Sequence, residues 1–112
     1  MDIRGLGYIG IDVADVASWR AYGELLGAMV VPDDTGLRLK IDERQFRVVV
    51  QHTTGSEGLA FAGWEVPDAA ALATAAVEFE QAGCTTEVAS TAECAERLVR
   101  GLIRTTDPSG FR

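Results

Sequence analysis

Histidine, cysteine, basic charge and long apolar runs are all scarce in this 112-residue chain. Ten basic residues stand against seventeen acidic ones, which gives a net charge of −7. Phosphate binding needs a basic face, so this balance argues against nucleic acid as a partner. No apolar run is long enough to span a bilayer, and the N-terminus lacks the basic start and apolar core of a signal peptide. We therefore expect no membrane partner and a cytoplasmic location.

The two cysteines, Cys84 and Cys94, are too far apart for a CxxC redox or zinc pair. We expect both to be buried thiols in a reducing cytoplasm, with a disulfide as the alternative. The hydrophobic content of 47% and the charged content of 24% are those of a soluble globular protein. The length suits one domain, which we place at residues 1–112.

Two segments of the chain occur twice. The stretch "GLGYIGIDVADVA" at Gly5–Ala17 returns as "GLAFAGWEVPDAA" at Gly58–Ala70, an offset of 53 residues (58 − 5). The stretch "DERQFR" at Asp42–Arg47 returns as "DPSGFR" at Asp107–Arg112, an offset of 65 (107 − 42). Duplicated segments of this length indicate a duplicated structural unit. The predicted repeat halves are about 1–54 and 55–112.

Each half predicts the order β-α-β-β-β. A strand of alternating side chains comes first, and a helix follows it. The first helix is predicted to begin after the N-cap Asp15 and to end at Gly27, and the second to begin after Asp68 and to end at Gly83. The later strands are "AMVVP", "LRLKI" and "FRVVVQH" in the first half, and "TTEVA" and "LIRTT" in the second. Ser90 and Glu93 form a predicted capping box for a short extra helix. The predicted fold class is α+β, with tandem βαβββ modules forming a cupped mixed sheet.

The chain ends on the turn sequence Asp-Pro-Ser-Gly, followed by Phe111 and Arg112. These two residues are predicted to open a strand, because their counterparts Phe46 and Arg47 lead into "VVVQH". The last strand of the second half is then missing, and we expect the sequence to be the N-terminal part of a longer chain. The alternative is a tail that ends at the protein surface.

Side chains inside the two halves are also predicted. The inner face of the second helix is expected to comprise Ala69, Leu72, Ala76 and Phe79. Core packing is expected for both tryptophans, Trp19 and Trp64.

The paired βαβββ pattern resembles the vicinal oxygen chelate superfamily, which includes glyoxalase I, bleomycin-resistance proteins and type I extradiol dioxygenases. The "GLGY" opening, "DERQFRVVV", "AFAGWEVPDAAAL" and "DPSGFR" are similar to the N-terminal module of two-module extradiol dioxygenases of the 2,3-dihydroxybiphenyl type. The resemblance implies a parent enzyme that opens catechol rings next to the diol. It also implies a 2-His-1-carboxylate Fe(II) site in a C-terminal catalytic module, and no cofactor in this chain.

The resemblance also implies where ligands would stand if this module held the metal. The first His position is occupied by Tyr8 in "GLGY", the second falls near Phe61, and the carboxylate would come from the final strand. No catalytic or cofactor-binding residue is therefore expected here. The single histidine, His52, ends a predicted strand and is a weak metal candidate only, because no second strong ligand accompanies it.

Two functions from different classes follow from the sequence. The first is a non-catalytic N-terminal module whose partners are the C-terminal catalytic module and, in a homo-oligomer, further copies. The alternative is a stand-alone small-molecule-binding protein of the bleomycin-resistance type, whose acidic charge would suit cationic ligands.

Overall fold

Strands and helices alternate along the computed structural model, which describes residues 1–112. The first half contains β1 (Gly5–Val13), α1 (Val16–Leu25), β2 (Met29–Pro32), β3 (Gly36–Lys40) and β4 (Val48–His52). The second half contains β5 (Gly58–Glu65), α2 (Ala69–Gln81), β6 (Thr86–Val88), α3 (Thr91–Arg97) and β7 (Ile103–Thr105). The α+β class and the βαβββ pattern are confirmed. No helix is both long and apolar enough to cross a membrane.

The two long helices begin and end with the same chemistry. The Asp15 carboxylate accepts the Ser18 backbone N–H at 3.1 Å, and the Asp68 carboxylate accepts the Ala71 N–H at 2.8 Å. Each bond satisfies an amide that has no partner within the helix. Gly27 and Gly83 follow α1 and α2, and both have φ of +84°, a conformation that strains any residue with a Cβ. The predicted start and stop signals are confirmed in both halves.

The third helix, α3, has no counterpart in the first half. Its N-cap is Ser90, whose hydroxyl accepts the Glu93 backbone N–H at 3.1 Å, as the capping box predicts. Its C-cap is Leu98, in the left-handed region at φ 56°. In the first half only the short segment 33–35 separates β2 from β3. The insertion therefore widens the connection between the two corresponding strands, β6 and β7.

The chain divides into two compact units, and the unit at Leu6–Gly63 holds most of a five-stranded mixed sheet. The strand order is β2-β3-β4-β1-β5, with β4 antiparallel to β3 and parallel to β1. Val50 on β4 has 0% of its surface exposed, and it packs with Val13, Leu37 and Leu39. The α1 residues Val16 and Trp19 pack against this cluster. The strand β4 is thus central to both the hydrogen bonding and the packing of the unit.

One predicted strand boundary is wrong. Strand β4 begins at Val48, two residues after the predicted start at Phe46. The Arg47 backbone N–H reaches the Leu39 carbonyl at 2.9 Å, although Leu39 is already opposite Val48 in the ladder. The extra residue interrupts regular pairing and leaves Phe46 outside the ladder. Phe111 and Arg112 likewise lie outside any strand.

The second unit comprises Met1–Gly5 and Trp64–Arg112, with β6 and β7 as a two-stranded antiparallel sheet. Its one buried hydrophobic residue is Ala75, which was not in the predicted inner face of α2; of the predicted residues, Ala69 is exposed, and Leu72, Ala76 and Phe79 are half-buried. Trp64 is 63% exposed, which contradicts the predicted core position.

The cysteines and the last turn complete this unit. Cys84 and Cys94 are free thiols and only half-buried, so the expectation of full burial is wrong. The Asp107 carbonyl accepts the Gly110 N–H at 2.9 Å, which closes the predicted β-turn. The Asp107 carboxylate also accepts the backbone N–H of Ser109 and of Phe111, both at 2.8 Å.

Candidate functional site

Three aromatic rings form a cluster, and two of them, Tyr8 and Phe61, stand where the resemblance would place the two His ligands. Tyr8 on β1 and Phe61 on β5 have ring centroids 6.0 Å apart in an edge-to-face arrangement. Phe46 lies 5.2 Å from Tyr8 and completes the set, which we call the aromatic cluster. Phe46 and Phe61 are buried, and Tyr8 is half-buried. Such ring pairs stabilise a core beyond the area that they bury.

Two glycines make room for the aromatic cluster, and they are related by the repeat. A Cβ on Gly10 would come within 2.2 Å of the Phe61 ring, and a Cβ on Gly63 within 2.4 Å of the Tyr8 ring. Tyr8 and Phe61 are separated by 53 residues (61 − 8), as are Gly10 and Gly63 (63 − 10). Each ring therefore covers the glycine of the other repeat. Any larger side chain at either glycine would displace a ring.

The chemistry of the aromatic cluster does not fit a 2-His-1-carboxylate iron site. Two phenyl rings offer no ligand atom, and one phenol supplies a single oxygen. Nowhere in the described chain do three or more His, Cys, Asp or Glu side chains group so that they could hold a metal ion. The donor set that the resemblance implies for the iron is thus not assembled by Tyr8, Phe46 and Phe61.

His52 lies away from the aromatic cluster. It ends β4 opposite Val13, four register positions from the pair Ile9–Val48, which is about 13 Å at the rise of a strand. Its backbone N–H bonds the Thr35 carbonyl at 2.9 Å, and the residue is exposed. The neighbouring Gln51 amide donates to the Asp12 carboxylate at 3.1 Å. Tyr8 and Phe61 are therefore brought together, and His52 is not brought to them.

An arginine next to the aromatic cluster was missed by the sequence reasoning. The Arg47 guanidinium contacts the Asp42 carboxylate at 2.8 Å and donates to the carbonyls of Gly7 at 2.8 Å and Leu6 at 3.3 Å. It thereby ties the β3–β4 connection to β1. The bond from the Arg44 backbone N–H, followed by that from Arg47, lowers the pKa of Asp42 below its ordinary value. The repeated Asp and Arg of "DERQFR" and "DPSGFR" were a signal that could have found this contact.

A second charged contact flanks Phe46. The Arg38 guanidinium lies 4.9 Å from the Phe46 ring centroid, and its Nε contacts the Asp33 carboxylate at 3.2 Å. The positive charge faces the electron-rich ring, which is a favourable cation–π geometry. Phe46 is therefore held by Tyr8 at one ring contact and by Arg38 at another.

The second unit carries an open apolar groove of about 730 Å³. Its walls are small or apolar side chains of α2, α3, β7 and the connection between α3 and β7, including Leu72, Ala76, Val99 and Ile103. Cys94 also lines it, and Glu80 and Arg100 are the charged residues among its lining. No sequence motif marks this groove, because its lining comes from separate elements with ordinary compositions.

The comparison with known proteins gives a consistent result. The family model described as dihydroxybiphenyl dioxygenase BphC D1 matches residues 6–52. The chain is 43% identical over 113 residues to biphenyl-2,3-diol 1,2-dioxygenase of Paraburkholderia xenovorans (strain LB400), a match that covers 99% of this chain and 38% of that protein. It is 38% identical over 114 residues to 3-methylcatechol 2,3-dioxygenase of Pseudomonas putida, covering 100% of this chain and 39% of that protein.

Solved structures agree with these sequence matches. A crystal structure of catechol 2,3-dioxygenase has a TM-score of 0.92 and 36% identity, covering 99% of this chain and 40% of that one. The structure of BphC, a halotolerant catechol dioxygenase, has the same TM-score at 30% identity and covers 38% of that chain. The chain thus spans less than half the length of the relatives that it matches. It is homologous to the N-terminal domain, about the first 38%, of type I extradiol dioxygenases such as biphenyl-2,3-diol 1,2-dioxygenase.

Proposed function

We propose that this chain is the non-catalytic N-terminal module of an extradiol ring-cleavage dioxygenase that acts on catechol-type diols such as 2,3-dihydroxybiphenyl. The observation that carries the proposal is the aromatic cluster. Tyr8 and Phe61 fill the two His-ligand positions with packed rings, Phe46 packs against Tyr8, and Gly10 and Gly63 leave the space that the Phe61 and Tyr8 rings occupy. A site shaped to bury rings stabilises the module and leaves no donor set for iron.

Iron chemistry then belongs to the C-terminal catalytic module, the partner that we propose within the same polypeptide. That module would supply the two His and the carboxylate, and Fe(II) would bind the diol and O2 at its open positions. The matched relatives extend well beyond the region that this chain covers, which supports such a partner. The homo-oligomer and the cytoplasmic location remain predictions.

The test compares the chain with the polypeptide encoded by its complete reading frame. Both are purified with Fe(II) and ascorbate under nitrogen and then assayed in air with biphenyl-2,3-diol, following the absorbance of the ring-fission product. We expect ring cleavage by the complete polypeptide and none by residues 1–112. Cleavage by residues 1–112 alone would contradict the non-catalytic role, and its failure in the complete polypeptide would contradict the dioxygenase assignment.

A substitution in the aromatic cluster sharpens this test. Tyr8→Phe in the complete polypeptide removes the phenol oxygen and keeps the ring contacts with Phe46 and Phe61. We expect kcat and the iron content to stay within twofold of the parent. A Phe46→Leu variant serves as the packing control, because it changes ring contacts without touching a ligand-position residue. Loss of iron from the Tyr8→Phe variant alone would show that the phenol is a ligand.

The bleomycin-resistance alternative makes the opposite prediction for residues 1–112. A stand-alone binding protein would bind a cationic glycopeptide drug in calorimetry with one site per chain or per dimer. The proposed module function expects no saturable binding at micromolar concentrations.

A further inference from the structure

The connection between β6 and β7 is much longer than its counterpart between β2 and β3. Only residues 33–35 join β2 to β3, whereas residues 90–101 carry α3 between Ala89 and Leu102. We call residues 90–101 the α3 segment. The Ala89 N–H bonds the Leu102 carbonyl at 2.9 Å, so the two ends of this segment meet beside β6 and β7. The α3 segment is therefore a loop with a closed base, and its movement need not separate the two strands.

Little apolar burial holds the α3 segment in place. The helix α3 has seven residues, and none of them is buried. So short a helix is not stable alone in water, and the hydrophobic contribution to stability grows with the apolar area that is removed from water. Segments with few buried apolar contacts open at a lower free-energy cost than the remainder of a domain. The α3 segment has this character.

The α3 segment forms one wall of the apolar groove. Thr91, Cys94 and Ala95 line the groove, and their spacing of three and four residues puts them on one face of the helix. Another wall belongs to α2, with Leu72 and Ala76. The Cys94 thiol is half-buried in this arrangement. Movement of α3 away from the groove would widen it and expose Cys94.

Two residues in the return from α3 to β7 suit a hinge. Leu98 has φ of 56°, in the left-handed region that costs free energy for a residue with a Cβ. Gly101 lies next to the closed base, and a Cβ there would come within 3.1 Å of the Leu72 side chain. Glycine also adopts more backbone conformations than other residues do. Hinges in proteins are a few loop or element-terminal positions of this kind.

An ion pair joins α3 to strand β7. The Glu93 carboxylate, in the first turn of α3, contacts the Arg104 guanidinium at 2.7 Å. The other terminal nitrogen of Arg104 contacts the Glu87 carboxylate on β6 at 2.8 Å. The side chain of Glu93 is 19% exposed and that of Glu87 is 67% exposed, so the contact to α3 is the less screened of the two. The Glu87 contact stays within the two-stranded sheet, whereas the Glu93 contact connects that sheet to the α3 segment.

We propose that the α3 segment is a lid on the apolar groove, hinged near Leu98 and Gly101 and latched by the ion pair between Glu93 and Arg104. In the closed state, which the structure shows, the latch holds α3 beside the groove and partly covers the Cys94 thiol. In the open state the latch is broken, the strands β6 and β7 stay paired, and the groove is accessible from the α3 side. Opening of this lid involves only the unit that contains α3, so it needs neither iron nor the catalytic module.

The test measures how fast iodoacetamide labels Cys94 in residues 1–112, with each thiol followed separately by mass spectrometry. The labelling rate in urea divided by the rate in the folded state gives a protection factor, which cancels the intrinsic reactivity of the thiol. Glu93→Gln removes the charge of the latch and keeps the side-chain shape and the capping box. We expect the protection factor of Cys94 to fall by about fivefold or more, because a hydrogen bond between two charged groups is lost. An unchanged protection factor would overturn the proposal.

A matched variant shows whether the latch acts through α3. Glu87→Gln removes the other carboxylate from the same arginine without changing the α3 segment. We expect it to leave the Cys94 protection factor within about twofold of the parent, because this pair is exposed. An equal fall in Glu87→Gln and Glu93→Gln would overturn the assignment of the latch.

The second thiol separates lid opening from unfolding of the whole unit. Cys84 lies between α2 and β6, outside the α3 segment. We expect its protection factor in Glu93→Gln to equal that of the parent. A parallel fall at Cys84 and Cys94 would overturn the lid in favour of unfolding of the unit. The labelling measurement requires no enzyme activity, so its failure is distinct from a failure of the ring-cleavage assay.

Discussion

The two repeat halves begin with the same sequence pattern, but the two compact units of the chain bury hydrophobic side chains to different extents. Seven of the eight buried hydrophobic residues lie within Leu6–Gly63, and the other unit contributes only Ala75. The difference follows one strand, because β4 pairs on both sides and carries Val50 into the core, while β7 ends the ordered pairing of the second half. A duplicated sequence can thus fold to an uneven result when a strand with a neighbour on each side, such as β4, is found in only one of the two copies.

The largest expected effect compares Phe46 with its counterpart Phe111. Phe46→Ala removes a buried ring that contacts Tyr8 and Arg38, and we expect a loss of about 3–5 kcal/mol in the free energy of unfolding. Phe111→Ala should cost less than about 1 kcal/mol, because this ring is only half-buried. Urea unfolding followed by the fluorescence of Trp19 in a Trp64→Phe background measures both. Equal losses would contradict the uneven comparison.

The second prediction adds a methyl group at Gly10, where the Phe61 ring fills the space beside the backbone. Gly10→Ala places a Cβ against the buried Phe61 ring, and we expect a loss of about 1–3 kcal/mol by overpacking. Adding Phe61→Leu in the same chain should restore part of that loss, since the smaller side chain gives way. The control is Gly55→Ala, where the nearest atom is 3.6 Å away. An additive double variant would show that the two residues do not compete for the same space.

The third prediction compares two arginines related by the repeat. Arg47→Ala removes a guanidinium that bonds a carboxylate and two carbonyls, and we expect a loss of about 1.5–3 kcal/mol by urea unfolding. Arg112→Ala is the matched variant and should change the free energy of unfolding by less than about 0.5 kcal/mol. An equal loss in both would mean that the second half is already tied down as firmly as the first.

The fourth prediction concerns the unpartnered hydroxyl of Thr105. Thr105→Val keeps the shape of the side chain and removes the buried oxygen, so we expect a neutral to stabilising change of up to about 1 kcal/mol. Thermal unfolding followed by circular dichroism gives the direction. Thr86→Val on the opposite strand is the control, because its hydroxyl contacts Glu80 at 3.2 Å. Destabilisation by Thr105→Val would reveal a partner for this hydroxyl.

The smallest expected effect is a pH dependence at Asp42. The pKa of this carboxyl is lowered from 3.8 by hydrogen bonds from Arg44 and Arg47. A carboxyl with a lowered pKa in the folded state stabilises fully above its unfolded value and loses that contribution as the pH falls through the folded value. We expect the unfolding midpoint of the parent to fall more steeply than that of Asp42→Asn below about pH 4. Parallel curves would show that the Asp42 charge does not contribute.

Local signals predicted most of the fold, and long-range packing accounts for what they missed. The helix caps depend on contacts within a few residues, so the sequence predicts them. They are Asp15, Asp68, Ser90 and the two glycines after α1 and α2. Trp64 was predicted to be buried because it lies on a predicted central strand, but burial depends on which surface covers it. The start of β4 was misplaced because a bulge at Arg47 depends on the partner strand.

The candidate site was also predicted from the sequence only in part. The positions of Tyr8 and Phe61 followed from the repeat and from the resemblance, whereas their crossed packing over Gly10 and Gly63 needed the structure. The Arg47 contacts join residues about forty positions apart, and no local pattern states which carbonyls a guanidinium will reach.

The position of β4 along the chain has a consequence for synthesis on the ribosome. Its five residues come between β3 and β5, so the unit at Leu6–Gly63 carries its own central strand as soon as residue 63 has been made. At ~5–20 residues per second the remaining 49 residues (112 − 63) take on the order of a few seconds to add. During that time the unit at Leu6–Gly63 can begin to close its sheet around β4. An unpaired strand edge is a site of unwanted pairing between nascent chains, and β4 has none once β3 and β1 flank it.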